Sequence, residues 1–394
     1  MKTSRQQTDN ARTSGAILKI LISCGSPSWG GLEMYTLQLA QQMARRGHRV
    51  VLLCAPGSAL QQHAANSVPT IPLLLDKWAI PRSILAIRRL LRSSDFDVIH
   101  THLSHDLGVL VPAIHLANWK GKLILSKHMG SAVNKKDILH RFLYRRVHRI
   151  LAISTFIRES VLKTCPVLPE QVLLFQNAIS LERLNPDFYD RGSLRRAFSI
   201  PAETTVIGMI GRMTPKKGHT EFLQAAAMLV KKFQKPLLFL IIGEASRGEE
   251  IYEKKLRRMA FEELELGEQV RFMGFQPDIP GVLAVMDVLA FPSYKEAFGI
   301  TLLEAMAMCV PVVASNSGAV PDIVVDGQTG ILVPPRSAEA LARGILKLIK
   351  SPGLRTRLGL AGRIRVEERF SMVKYLDRLE RVYREVERYK DIGD

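Results

Sequence analysis

The chain of 394 residues has four cysteines, Cys24, Cys54, Cys165 and Cys309, and no C-x-x-C pair among them. That pattern argues against a structural zinc site or a dithiol redox centre, and thiols standing singly in apolar, strand-like surroundings read as buried and free in a reducing cytoplasm. No apolar run reaches the roughly 18 residues of a membrane span. Met1 to Ser14 is polar, lacks the apolar core of a signal sequence, and gives way directly to an apolar strand, so residues 1–16 are expected to be a frayed tail. No tandem repeat of about 20 to 50 residues is present. The G-x-G-x-x-G of a nicotinamide enzyme is missing after the first strand, and so is any RNA- or DNA-binding signature.

What is abundant is positive charge. Net charge is +18 from 55 Lys and Arg against 37 Asp and Glu, and residues 1–190 hold 24 of the bases against 12 of the acids. The first half therefore carries most of the field, which suits an anionic partner such as a phosphate or an acidic bilayer surface. The length suits two domains of about 200 residues, each able to bury a full core.

Strand-like runs alternate with helical patterns throughout, the grammar of doubly wound parallel sheets. In the first half Ile17 to Cys24, Val50 to Cys54, Val98 to His100, Lys122 to Ser126 and Arg149 to Ile153 read as strands. In the second half Thr205 to Ile210, Leu237 to Ile242, Gln269 to Met273, Val288 to Phe291 and Val310 to Ala314 repeat the pattern. Asn-Pro-Asp and Arg-Gly-Ser within Asn185 to Arg195 break it and mark the boundary. The expected domains are 17–190 and 191–370, followed by a last amphipathic helix from Ser371 through Tyr389.

The most informative stretch runs from Pro292 to Glu304. It sets Glu296 and Glu304 on either side of a glycine turn at a helix start. Free first-turn amides at Phe298, Gly299 and Ile300, with the positive end of the helix dipole, suit a pyrophosphate. An ionised carboxylate only accepts hydrogen bonds, so the natural partners of Glu296 and Glu304 beside that anion are sugar or ribose hydroxyls. Arg212 and Lys217, in Gly211-Arg212-Met213-Thr214-Pro215-Lys216-Lys217-Gly218 after another strand, supply cations for the same anion. Asp95-Phe96-Asp97 mimics a metal-binding D-x-D but precedes its strand, and reads as a solvated turn. The cluster His100, His102, His105 and Asp106 has the residue types of a metal site, but its position reads as a strand end leading into a loop.

The Pro-Ser, Ala-Phe-Gly and Leu-Leu-Glu-Ala-Met-Ala sequence around the two glutamates resembles the E-x7-E signature of retaining glycosyltransferase family 4, and the run from Gly211 to Gly218 resembles that family's G-R-x-x-x-x-K-G. The resemblance implies a GT-B fold, two Rossmann-like α/β domains with a cleft between them, and a last helix, 371–394, that crosses back to the first domain. It implies a hexosyltransferase that takes a sugar from a nucleotide diphosphate sugar, with UDP-sugar first and GDP-sugar next. No cofactor or metal is required by this reading. Gly30 and Gly31 resemble the family's glycine loop, flanked here by Trp29 and Glu33. His128, at the end of an apolar strand, resembles its sugar-site histidine, with His100, His102 and His105 as neighbouring alternatives. Backbone near Gly274 to Asp278 is the expected reader of the base.

Lys135 to Arg149 places Leu139, Phe142, Leu143 and Val147 on one helical face with bases on the others, a pattern for peripheral contact with the inner face of an anionic membrane or for a solvated helix over a core. The acceptor expected from this is a glycan or lipid-linked glycan of bacterial cell-surface polysaccharide or lipopolysaccharide synthesis. Two competing classes are a nucleotide-sugar epimerase, which needs an acid/base pair not evident here, and a basic nucleic-acid-binding protein, which leaves Glu296 and Glu304 without a purpose.

Overall fold

The computed structural model describes residues 16–75, 80–131, 133–245 and 248–385. Residues 1–15 of the expected tail, Ser246, Arg247 and the stretch toward Tyr389 lie outside the described residues. The chain divides into two compact units, one reaching to Gln176 and resuming at Leu376, the other spanning Asn177 to Tyr375. This division precedes the stretch Asn185 to Arg195.

The first unit is built on a parallel sheet of β1 (Lys19–Cys24), β2 (Arg49–Cys54), β3 (Thr70–Pro72), β4 (Val98–Thr101), β5 (Lys122–Lys127), β6 (Arg149–Ala152) and β7 (Val172–Leu174). Its order is β3-β2-β1-β4-β5-β6-β7. Ile22 of β1 lies opposite Leu52 of β2 on one side and His100 of β4 on the other. Strand order therefore reverses between β1 and β4, and the loops leaving their carboxyl ends diverge to opposite faces of the sheet, the place where such folds bind ligands.

The second unit repeats this plan with β8 (Thr205–Ile210), β9 (Leu237–Ile242), β10 (Val270–Gly274), β11 (Val288–Phe291), β12 (Val312–Ser315) and β13 (Ile331–Val333), in the order β10-β9-β8-β11-β12-β13. Its reversal lies between β8 and β11. These are the two strands that the Arg212 and Glu296 motifs follow. Every residue of β9 is buried, as a strand covered by helices on both faces requires. Phe222 of the helix His219–Lys232 meets Phe239 of β9 edge to face at 5.8 Å in that core.

Three strands absent from the sequence reading, β3, β7 and β13, have three residues each and lie at sheet edges. The basic stretch 135–149 is corrected too: its helix covers only Ile138–Arg145, capped by Asp137, whose Oδ1 accepts from the His140 amide at 3.0 Å. Leu143 and Val147, expected on one helical face with Leu139 and Phe142, are buried in the core; Ile138, Leu139 and Phe142 are 86%, 63% and 44% exposed. The last described helix, Met372–Arg384, starts in the second unit and belongs to the first from Leu376 onward. There Arg46 Nη1 donates to Asp377 at 2.6 Å and Glu380 at 3.0 Å, and Lys122 Nζ donates to the Tyr383 carbonyl at 2.8 Å.

Candidate functional site

In the second unit the two motifs meet. Lys217 Nζ stands 2.7 Å from Glu296 Oε2, and Ser293 Oγ donates to the same oxygen at 3.3 Å. Glu296 Oε1 has no partner among the described residues. Lys217 also lies 5.8 Å from the centroid of Phe291, the last residue of β11. Arg212 is exposed just beyond β8.

Gly299 caps the helix Ile300–Ala307 with φ +109°, where side chains are strained, and no side chain caps the first turn. Phe298 is buried, with its ring 6.2 Å from Phe370, so only its backbone is available to a ligand. Glu304 lies within that helix, and its carboxylate has no partner among the described residues. Although part of the residue remains exposed, removal of water from the carboxyl pushes its pKa up to about 7.

Behind Glu296 stands a residue that the sequence reading tied to no role. Gly318 has φ +59°, and a Cβ there would come within 2.3 Å of the Glu296 carbonyl oxygen. The next amide, that of Ala319, donates to this oxygen at 3.0 Å. Glu296 is thus fixed by its side chain from Lys217 and Ser293, and by its backbone from the turn after β12. The sequence signal was the run from Ser317 to Asp322, which resembles the family's Gly-Gly-x-Pro-Glu without giving Gly318 a role.

The remaining expected residues, Gly30, Gly31 and His128, belong to the first unit. Gly30 is extended (φ −167°), and a Cβ on Gly31 would meet nothing within 4 Å, so the fold itself does not demand glycine at either position. The helix they open, Gly31–Arg45, carries Tyr35, whose ring meets that of His128 edge-on at 5.9 Å. Asp106, fully buried, accepts from Ser23 Oγ at 2.8 Å and the Gly25 amide at 3.1 Å, and so ties the end of β1 to the loop after β4.

His128 does not stand alone. Its Nε2 lies 3.0 Å from Nδ1 of the buried His102, while His100 bridges Ser126 Oγ (2.8 Å) and Tyr383 OH (2.6 Å). Burial pushes the pKa of His100 down to about 3 and that of His102 well below the ordinary value. His128 is also pushed down to about 3, by burial and by neighbouring Lys127. All three imidazoles are neutral near pH 7. Among the described residues no group of three or more His, Cys, Asp or Glu is placed to hold a metal ion. Asp95 of the D-x-D mimic pairs with Lys19 Nζ at 2.7 Å, and Asp97 Oδ2 accepts from the Lys19 amide at 2.8 Å.

Comparison with known proteins bears on the family and the fold. The family model described as "Glycosyltransferase Family 4" matches residues 29–183, and that described as "Glycosyl transferases group 1" matches residues 190–365. A D-inositol 3-phosphate glycosyltransferase of Saccharomonospora viridis is 28% identical, with 92% of this chain and 90% of that protein covered. Among solved structures, a glycosyltransferase from Rickettsia africae superposes with a TM-score of 0.85 at 22% identity, covering 94% of this chain and 99% of the other. Anabaena HepE in complex with UDP and glucose superposes with a TM-score of 0.78 at 22% identity, covering 93% and 99%. Two parallel Rossmann-like units, one matched by each family model, place the chain on the GT-B fold. The chain belongs to the group 1, family 4 glycosyltransferases.

Proposed function

We propose that the protein is a hexosyltransferase that moves a sugar from a nucleotide diphosphate sugar, UDP-sugar first and GDP-sugar next, with retention of anomeric configuration. The observation that carries this reading is the arrangement at β8 and β11, where Lys217 holds one oxygen of Glu296 while its other oxygen and the whole Glu304 carboxylate have no partner among the described residues. Those acceptors match hydroxyls of the donor sugar and ribose, at roughly 1.5 to 3 kcal/mol for each charged hydrogen bond. Arg212, Lys217 and the uncapped turn at Gly299 and Ile300 stabilise the negative charge that grows on the departing diphosphate. With two cations and a helix N-terminus on that charge, the transfer needs no metal. His128 positions the sugar, and Gly30 and Gly31 line the donor's approach, with open space beside Gly31. A UDP-bound relative of the same fold supports the donor class.

The acceptor we propose is a glycan or lipid-linked glycan of a bacterial cell-surface polysaccharide or lipopolysaccharide, met at an anionic membrane. Exposed Ile138, Leu139 and Phe142 beside Lys135, Lys136, Arg141 and Arg145 support bilayer contact. Among the described residues no helix is long and apolar enough to cross a membrane. A second acceptor class, a small polyol phosphate, is favoured by the name of the Saccharomonospora viridis relative.

The test is a panel of UDP-, GDP- and ADP-sugars in EDTA, with and without inositol phosphates or lipid-linked glycans, read as nucleoside diphosphate release. One donor is expected to stand out, and Arg212→Ala and Glu296→Ala to lose its turnover. No release from any donor and acceptor pair by folded protein would overturn the reading.

A further inference from the structure

The pair His102 and His128 carries a consequence for the chemistry of the first unit. The rings meet with centroids 5.2 Å apart, an interplanar angle of 23° and an N···N distance of 3.0 Å. At that centroid distance and angle they touch edge to edge in nearly one plane, so one N–H points along the lone pair of the other ring. A neutral imidazole has one donor and one acceptor nitrogen, and exactly one proton lies between the two rings. The remaining atoms decide whose proton it is.

His102 is 2% exposed, and its Nε2 has no hydrogen-bond partner among the described residues. If His128 donated, His102 would carry its own proton on Nε2, a buried N–H with no acceptor. If His102 donates from Nδ1, its Nε2 is a bare lone pair instead. Orphaned buried N–H groups are the rarer and costlier of the two. His100 lies against His102 at 4.5 Å between ring centroids and is itself held by Ser126 Oγ and Tyr383 OH, which fixes the packing of the inner ring. His128 Nδ1 has no partner among the described residues, and His128 retains exposure.

We infer that His102 is a positioning residue: by donating from Nδ1 to His128 Nε2 it locks His128 as the Nδ1–H tautomer, so that His128 presents a hydrogen-bond donor, not a base, to a sugar oxygen. The catalytic half of this rests on the reading of His128 as the residue at the donor sugar; the tautomer does not. As a neutral donor His128 binds a hydroxyl or ring oxygen and does not take the acceptor's proton.

The test uses the full chain labelled with 15N-histidine and two-bond and three-bond 1H–15N correlations, with His128 assigned by comparison with His128→Gln. The expected spectrum shows His128 with Nδ1 protonated and Nε2 bare, and a shift toward the other tautomer in His102→Leu. His102→Asn, whose side-chain amide can donate from nearly the same place, is expected to keep the Nδ1–H form. In donor turnover His102→Leu is expected to lose up to about tenfold in kcat, the worth of one such hydrogen bond, with KM for the acceptor unchanged and most of the loss recovered in His102→Asn. A wild-type His128 protonated at Nε2 would overturn the inference even if His102→Leu fails to fold. Equal loss in folded His102→Asn and His102→Leu would overturn the positioning role. Full activity in His128→Ala would overturn the catalytic half, and the spectrum alone would then decide the tautomer.

Discussion

Lys217 Nζ and Glu296 Oε2 are 2.7 Å apart, so the cation expected on the donor's diphosphate and the carboxylate expected on its hydroxyls are already partners. Their side chains are partly open to solvent, and such a pair adds little to folding. Its value on our account lies in binding. Lys217→Ala should weaken nucleoside diphosphate binding by about 10- to 100-fold, as expected for one charged hydrogen bond, while the unfolding free energy changes by less than about 1 kcal/mol. Calorimetric titration and urea melts check both, and a variant that binds normally would remove Lys217 from the site.

Glu304 opposes folding where ligand binding needs it. Its carboxyl is raised from the ordinary 4.5 to about 7 by loss of water. The raised value leaves stability fully present below pH 4.5 and takes it away as pH climbs through about 7. At 1.36 kcal/mol for each pKa unit the loss reaches at most about 3 kcal/mol. Glu304→Gln should therefore be more stable than the parent at pH 8 and equal to it near pH 4.5. Urea melts at the two pH values measure this, and an identical offset at both would contradict it.

The buried imidazoles act in the opposite direction. His100 and His128 titrate at about 3, and His148 and His219 at about 4, against 6.5 in an unfolded chain. The unfolded state takes up protons first, so stability is level above pH 6.5 and falls toward pH 4, by about 1.4 kcal/mol per pH unit for each histidine that has charged. Glu304 offsets the slope of only one such ring, and His102, held well below 6.5, adds to theirs. Unfolding free energy should fall steadily from pH 7 to pH 5, and a flat profile over that interval would show that these rings are not held neutral.

The exposed trio Ile138, Leu139 and Phe142 should bind vesicles of anionic lipid, with binding that fades as salt rises. Sedimentation with such vesicles should lose the protein when Lys135, Lys136, Arg141 and Arg145 are neutralised together, or when Phe142 becomes Ser. Partitioning unchanged in both variants would remove the membrane from the account.

Much of this fold was legible because its central strands are continuous apolar runs between clear breaks. β8, β9 and β11 fall on the residues expected, Thr205–Ile210, Leu237–Ile242 and Val288–Phe291. Three-residue edges such as Ile331–Val333 were not, since so few residues show no periodicity and their pairing is decided by the neighbouring strand. The basic helix was overextended because Val147 continues the apolar spacing; it is buried beyond the helix end, two residues before β6 begins at Arg149. At the site, Lys217 and Glu296 stood out because strand ends place both motifs at one sheet reversal. The parts that hold them were hidden. Ser293 looks like any loop serine, and the contact of His102 with His128 depends on β4 and β5 being neighbours, which no local pattern announces.

The central claim is that hydroxyls of a bound nucleotide sugar meet Glu296 and Glu304, and we assign the ribose pair to Glu304. The most direct measurement is a titration of ribonucleoside diphosphates and their 2′,3′-dideoxy counterparts against the parent and Glu304→Gln. The account predicts that one base binds best, that removing the hydroxyls or the carboxylate each weakens it by about 10- to 100-fold, and that doing both costs little more than either alone. Equal affinity of the parent and Glu304→Gln for the hydroxylated ligand, with the fold intact, would contradict it.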